Sequence, residues 1–228
     1  MGSDMQAYYE EEYKDSTLEA DLKRKDRRAP YFPSDMKGKK ILSLGSGPGV
    51  DIISLVSGNE VHAVDISREV LKIAESNGYI VHEADLNLVT RLPFEDESFD
   101  IVIATDILEH LFHLKKILFE IHRVLRKEGF AVLSVPNHFY LSRRFAILFG
   151  EGLVLPFHKS NEWDYFHIRF FTLKGWEKLL KECNFTIHEK LYHEFVHVPR
   201  GLPYSIDKEI GKLFPTLFSR HFLCKVKK

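Results

Sequence analysis

The chain is short of cysteine, of unbroken apolar runs and of any excess of one charge. Its two cysteines, Cys183 and Cys224, form neither a disulfide framework nor a metal-ligand spacing. This points to a reducing compartment, and a cytoplasmic location is expected. No apolar run approaches the ~18 residues a membrane span needs. The nearest stretch, FYLSRRFAILFGEGLVLPF, is broken by Arg143, Arg144 and Glu151. The first 30 residues are polar and charged, without the apolar core of a secretory leader. Lys and Arg number 32 against 33 Asp and Glu, so the formal net charge is −1. No global field draws the molecule to nucleic acid or to an acidic membrane. Local patches stay open, and residues 139–157 are apolar enough to approach a membrane surface. The oligomeric state is not readable.

What is present is an alternation. KKILSLG reads as a buried strand and VDIISLVS as the start of a helix. EVHAVDIS is a second strand, followed by the helix SREVLKIAESNG, closed by Gly78. YIVHEADL and SFDIVIATD are the third and fourth strands. LKKILFEIHRVLRKEG has helical spacing and a closing glycine, Gly129, and FAVLSVPN is the fifth strand. Strands alternating with helices imply a parallel sheet covered on both faces, with ligands held outside the carboxyl ends of its strands. That rule brings the turn Gly45–Gly49, Asp65, Asp85, Thr105, Asp106 and Asn137 to one crevice. After Asn137 the alternation lapses. Then TLKGWEKLLKECN reads as a helix capped by Thr172, and FTIHEKLYHEF and SRHFLCKVKK as strands. Residues 1–30 read as a helical arm or lid bearing Tyr8, Tyr9 and Tyr13. Residues 31–228 read as one domain with an insertion at about 138–171.

The glycine turn GSGPG has G-x-G-x-G spacing, with Val50 where a dinucleotide fold places its third glycine. Pro48 removes one backbone N–H, which favours a close approach to a neutral group over an anion nest. Asp65, twenty positions after Gly45, can accept from both hydroxyls of a ribose. That suits either nucleoside cofactor. Asp85 could accept from an adenine amino group.

In ILSLGSGPG, VHAVDIS, EADL and LPFEDESFDIVIATDILEHL, in order from about 41 to 137, the chain resembles S-adenosylmethionine-dependent methyltransferases. The class is the seven-stranded Rossmann-like one, in the small-molecule branch with the ubiquinone-biosynthesis and MetW-like enzymes. The resemblance implies an α/β, three-layer fold, a mostly parallel seven-stranded sheet with a terminal antiparallel hairpin. It implies S-adenosylmethionine as cofactor and a small molecule as the methyl acceptor. Gly45, Ser46, Gly47 and Gly49 would pass the methionine and ribose part. Asp65 would hold the ribose, with Ile66 on the adenine face. Asp85 and Leu86 would meet the adenine edge, and Thr105 and Asp106 the sulfonium and methionine end. Ser43 stands where the family often has an acid.

TDILEHL leaves three readings open. His110 is a general base; or Asp106, Glu109 and His110, with His167, help bind a divalent cation, as in metal-dependent ubiquinone and small-RNA 2′-O-methyltransferases; or Glu109 and His110 are structural, capping a helix that begins near Ile107 and contacting the loop after strand five. No metal ligand is assigned. His62 and His82 are expected as core or edge residues, and His188, His193 and His197 as surface. Phe139, Tyr140, Trp163, Tyr165 and Phe166 are candidates for an acceptor wall, and Arg143, Arg144 and Arg169 for meeting a carboxylate or phosphate. The rivals to a small-molecule methyltransferase are a nicotinamide-dependent oxidoreductase, an RNA methyltransferase of the metal type and a non-catalytic cofactor-binding protein.

Overall fold

A computed structural model describes residues 26, 28–150, 167–195 and 212–228. The aromatic residues Tyr8, Tyr9, Tyr13, Trp163, Tyr165 and Phe166, together with His197, lie outside them. Apolar, β-branched runs become seven strands: β1 (Lys40–Leu44), β2 (Glu60–Asp65), β3 (Ile80–Glu83), β4 (Phe99–Ala104), β5 (Leu125–Pro136), β6 (Thr186–Phe195) and β7 (Ser219–Lys227). They form one sheet in the order β3-β2-β1-β4-β5-β7-β6. The first five are parallel, and β7 runs antiparallel between β5 and β6. Among the described residues the α-helices are α1 (Arg68–Ser76), α2 (Leu114–Val124), α3 (Leu141–Leu148), α4 (Leu173–Glu182) and the single turn α5 (Pro215–Phe218).

Successive strand residues point to opposite faces, so a sheet covered on both sides needs apolar residues at every position. Ile41, Ile101 and Ile103 enter one buried cluster with Leu71 and Ala74 of α1. Leu42, Leu44 and Val102 enter the other, with Ile117 and Ile121 of α2 and Trp176 of α4. The expected three-layer architecture and terminal antiparallel pair are both present. Thr172 caps α4 as read, its hydroxyl accepting from the Gly175 N–H at 3.1 Å.

Three local readings are corrected. The helix expected to run to Gly129 stops at Val124, because Leu125 takes extended backbone and pairs with Phe99. Gly129 is then a buried strand residue, and a Cβ there would lie 2.6 Å from the Asp100 carbonyl oxygen. The stretch VDIISL is a 3-10 turn kinked at Ile52. Residues 141–148, in what read as a loop, form α3; their only buried residue is Arg143, so the helix gives no core-facing apolar stripe to read.

His62 and His82 sit on adjacent strands as expected. Their rings stack at 5.1 Å with a 2.8 Å Nδ1–Nε2 hydrogen bond, edge-on to Phe94. Burial, then the neighbouring His62 and Lys40, hold His82 below its ordinary pKa. A histidine lowered in the folded state gives stability that is full above about pH 6.5 and falls as the unfolded chain takes up the proton first. Urea denaturation at pH 7 and pH 5 should therefore show a smaller acid loss for His82→Leu than for the native protein. Equal losses would refute the assignment.

Candidate active site

In a parallel sheet the strand ends share one edge, and the order reverses between β1 and β4, opening a crevice there. The turn after β1 lines it. Gly45, Gly47 and Gly49 all have left-handed backbone, at φ of 61°, 52° and 73°. Gly45 has a second reason to be glycine, since a Cβ would sit 2.6 Å from the Ile107 side chain. At Gly49 a Cβ would sit 2.8 Å from the Tyr79 ring, whose hydroxyl donates to the Gly49 carbonyl.

Asp65 ends β2 and is buried. Its Oδ2 accepts from the Gly47 N–H at 2.9 Å and its Oδ1 from the Ser67 N–H at 3.1 Å. Burial raises its pKa, and those N–H groups oppose the rise. Each oxygen keeps a lone pair, so the carboxylate can still take both hydroxyls of a ribose. Ile66 is half-buried beside it, and Ser46 follows Gly45 in the turn. Asp85 is half-buried after β3, with Oδ1 on the Asn87 N–H at 2.8 Å. The Leu86 side chain turns into the core. Thr105 and Asp106 follow β4 and are half-buried.

One residue here escaped sequence reasoning. Arg28 is fully buried, and its guanidinium Nη2 pairs with Asp106 Oδ2. Its Nε lies 3.8 Å from Asp51 Oδ2, and its Nη1 has no hydrogen-bond partner. The backbone holds it there: Asp26 N–H donates to the Val50 carbonyl and Arg28 N–H to that of Asp51, both at 2.8 Å. Asp106 has left-handed backbone at φ 58° and a mutual contact with Ser134, whose hydroxyl donates to Oδ1 at 3.1 Å.

Glu109 and His110 lie in a 3-10 turn, Leu108–His110, and α2 begins only at Leu114. The capping part of the structural reading therefore fails, for no side chain caps that turn, while its contact with the segment after β5 is present: the Ile168 N–H donates to the Glu109 carbonyl at 3.2 Å, and the His110 ring meets that of His167. Glu109 is 2% exposed, and its Oε2 has no hydrogen-bond partner. Burial first, then the nearby Asp106 charge, push its pKa well above the usual carboxylate range. Its Oε1 lies 3.9 Å from His110 Nε2 and 3.8 Å from His167 Nε2. The ligand atoms of these three residues all fall within 4.8 Å of one another. Of the four suggested cation ligands, Glu109, His110 and His167 come together, while Asp106 turns to Arg28. His138, which sequence reasoning passed over, touches the group through His167 at 3.0 Å. Of the anion-binding candidates, Arg169 is bonded to the carbonyls of Leu111 and Phe112, and Arg144 to those of Phe139 and Thr216.

Comparison with known proteins bears on this geometry. Residues 42–133 match the family model of a methyltransferase domain. The matched stretch is 92 of the 228 residues. It runs from β1 into β5 and takes in the glycine turn, Asp65, Asp106 and Glu109. Over 117 residues the chain is 34% identical to a "Probable S-adenosylmethionine-dependent methyltransferase" of Mycobacterium tuberculosis, covering 50% of this chain and 39% of that one. The chain thus spans about two fifths of that relative's length. It is 23% identical to the ubiquinone biosynthesis O-methyltransferase of Rickettsia prowazekii over 86% of this chain and 74% of the other. Among solved structures, a methyltransferase of Haloferax volcanii in complex with the Trm112 activator gives a TM-score of 0.67 at 15% identity, covering 96% of each chain. A SAM-dependent methyltransferase of Archaeoglobus fulgidus gives 0.62 at 20%, covering 97% and 98%. The fold is that of these enzymes, and the domain and its relatives imply S-adenosylmethionine as cofactor. The residues fit such a group: a carboxylate for a diol, a turn too tight for side chains and a buried cation with a spare donor.

Gly45→Ala adds a methyl group to a left-handed position against Ile107. It should destabilise the methyltransferase domain by about 1–3 kcal/mol and abolish binding of the cofactor product, read from urea midpoints and titration. An unchanged midpoint with native affinity would show that the turn yields.

Proposed function

We propose that this chain transfers a methyl group from S-adenosylmethionine to an oxygen, nitrogen or carbon of a small-molecule acceptor. The observation that carries the reading is the methyltransferase-domain match over residues 42–133, which takes in the glycine turn and Asp65, a buried carboxylate tied to Gly47 and Ser67 at the crevice. S-adenosylmethionine, when bound, supplies a methyl group on a sulfonium, already a good leaving group, so alignment and exclusion of water do much of the work. Gly45, Ser46, Gly47 and Gly49 bring backbone close to the methionine and ribose part. Asp65 holds the ribose, Ile66 packs on the adenine, and Asp85 and Leu86 meet its edge. Thr105 and Asp106 stand at the methionine end, where Arg28 offers its spare Nη1 donor to the carboxylate. Arg28 anchors the chain before β1 at the crevice, and residues 138–150 and 167–171 form the acceptor side. Two free, buried thiols fit a cytoplasmic protein.

An oxygen or nitrogen acceptor must lose a proton, and His110 is placed to take it, with Glu109 alongside to stabilise the imidazolium. The matched domain favours this reading over hydride transfer, since Asp65 alone serves either nucleoside. The near-neutral charge weighs against extended RNA contacts.

Titration of the native protein should give micromolar binding of S-adenosylhomocysteine and none of NADH. Asp65→Ala and Arg28→Met should each weaken that binding roughly ten- to a hundredfold, the scale of one charge-assisted hydrogen bond of about 1.5–3 kcal/mol. Binding of NADH alone would overturn the reading, and cofactor binding with no product across an acceptor screen would favour a non-catalytic protein.

A second reading rests on the orphaned Oε2 of Glu109. Glu109, His110 and His167 supply one carboxylate and two imidazoles, a set suited to magnesium, manganese or zinc. Such an ion would offset the charge buried at Glu109 and lower the pKa of an acceptor hydroxyl. Chelator-treated protein should then take up one manganese or zinc ion per chain, and Glu109→Gln should abolish uptake. No uptake at millimolar ion would leave His110 as the base.

A further inference from the structure

Among the described residues the three most exposed large apolar side chains, Phe149, Leu148 and Leu213, lie in two adjoining elements beside the acceptor side of the crevice. Phe145, Leu148 and Phe149 are 54%, 74% and 81% exposed, and their i, i+3, i+4 spacing puts them on one face of α3. Leu213 and Phe214, 74% and 55% exposed, lead into α5. The two elements abut, for the Arg144 guanidinium reaches from α3 to the Thr216 carbonyl at 3.3 Å. α3 begins just beyond Asn137 and His138, where β5 opens onto the crevice.

Among the described residues of these two segments the charge has one sign. Residues 138–150 hold Arg143 and Arg144 and no carboxylate, and residues 212–228 contain no Asp or Glu. Arg144 and Lys212 are exposed, and a guanidinium bonded to carbonyls keeps its full charge. Arg220 lies over the ring of Tyr140, the residue before α3, at 6.0 Å. Exposed apolar residues next to cations are the features of a helix that lies in a membrane interface. In a two-fold dimer through this face, cations of one copy would face cations of the other. An anionic surface complements it.

We propose that α3 and the chain leading into α5 dock the protein on an anionic membrane surface, with the acceptor mouth beside the bilayer. Phe145, Leu148, Phe149, Leu213 and Phe214 enter the acyl boundary, and Arg144 and Lys212 meet lipid phosphates. The proposal concerns this surface and stands whether or not the methyl acceptor is a lipid.

The test is co-sedimentation of the full chain with phosphatidylcholine vesicles, with and without about one third phosphatidylglycerol. The native protein should pellet with the anionic vesicles and be released by salt. The double variant Leu148→Glu, Phe149→Glu changes two side chains already in solvent, so the fold is kept, as unchanged S-adenosylhomocysteine binding will verify. Its partition should fall roughly tenfold or more. Failure of the native protein to bind, equal binding to neutral vesicles, or undiminished binding by the variant would each overturn the proposal. A dimer that the same substitutions dissociate, without vesicle binding, would assign the patch to self-association and overturn it too.

Discussion

The carboxylate of Asp65 is the constraint on which the crevice depends. It ends β2, yet it accepts from Gly47, two residues beyond the first glycine after β1. A backbone N–H can reach it only if the chain turns sharply after Leu44, and that turn runs through left-handed conformations suited to glycine. The missing Cβ at Gly45 then lets Ile107, after β4, close against it. Three strand ends are thereby locked at the switch point of the sheet. A buried carboxylate alone is costly, and this one is stabilised by N–H donors rather than by a cation, so its remaining lone pairs are kept for uncharged hydroxyls.

The next tier is electrostatic. Asp106 lies beyond the cradle and would repel Glu109 three residues on. Arg28 enters from the chain before β1 and takes up the Asp106 charge. The cost of burying a guanidinium is offset by that ion pair and leaves one nitrogen without a protein partner. Arg28 thus does more than pack, for it settles which of two neighbouring carboxylates is compensated.

Most of this sheet could be read from the alternation of short apolar runs with amphipathic ones, because strands buried on both faces have no other composition. Gly45 to Gly49 and Asp65 were legible for the same reason: they sit at strand ends, where position alone implies the crevice. Arg28 was not, because backbone bonds to residues 50 and 51 bring it in, and such bonds leave no side-chain signature. The true end of α2 was hidden too, since Leu125 satisfies helical spacing and only its pairing with Phe99 makes it a strand. α3 was hidden for the opposite reason, its apolar face being turned to solvent. His138 was within reach of the strand-end rule that marked Asp65 and was passed over.

Glu109 explains why two accounts of the acceptor side share one physical demand. A carboxylate 2% exposed, beside Asp106, is unfavourable as an anion unless positive charge comes to it. Arg28 serves Asp106 first. The groups nearest Glu109 are His110 and His167, neither within direct hydrogen-bond distance of its Oε1. Protonation of Glu109 itself removes the demand; failing that, a proton taken up by a neighbouring imidazole, or a divalent ion held by the three residues, would supply positive charge at the same place.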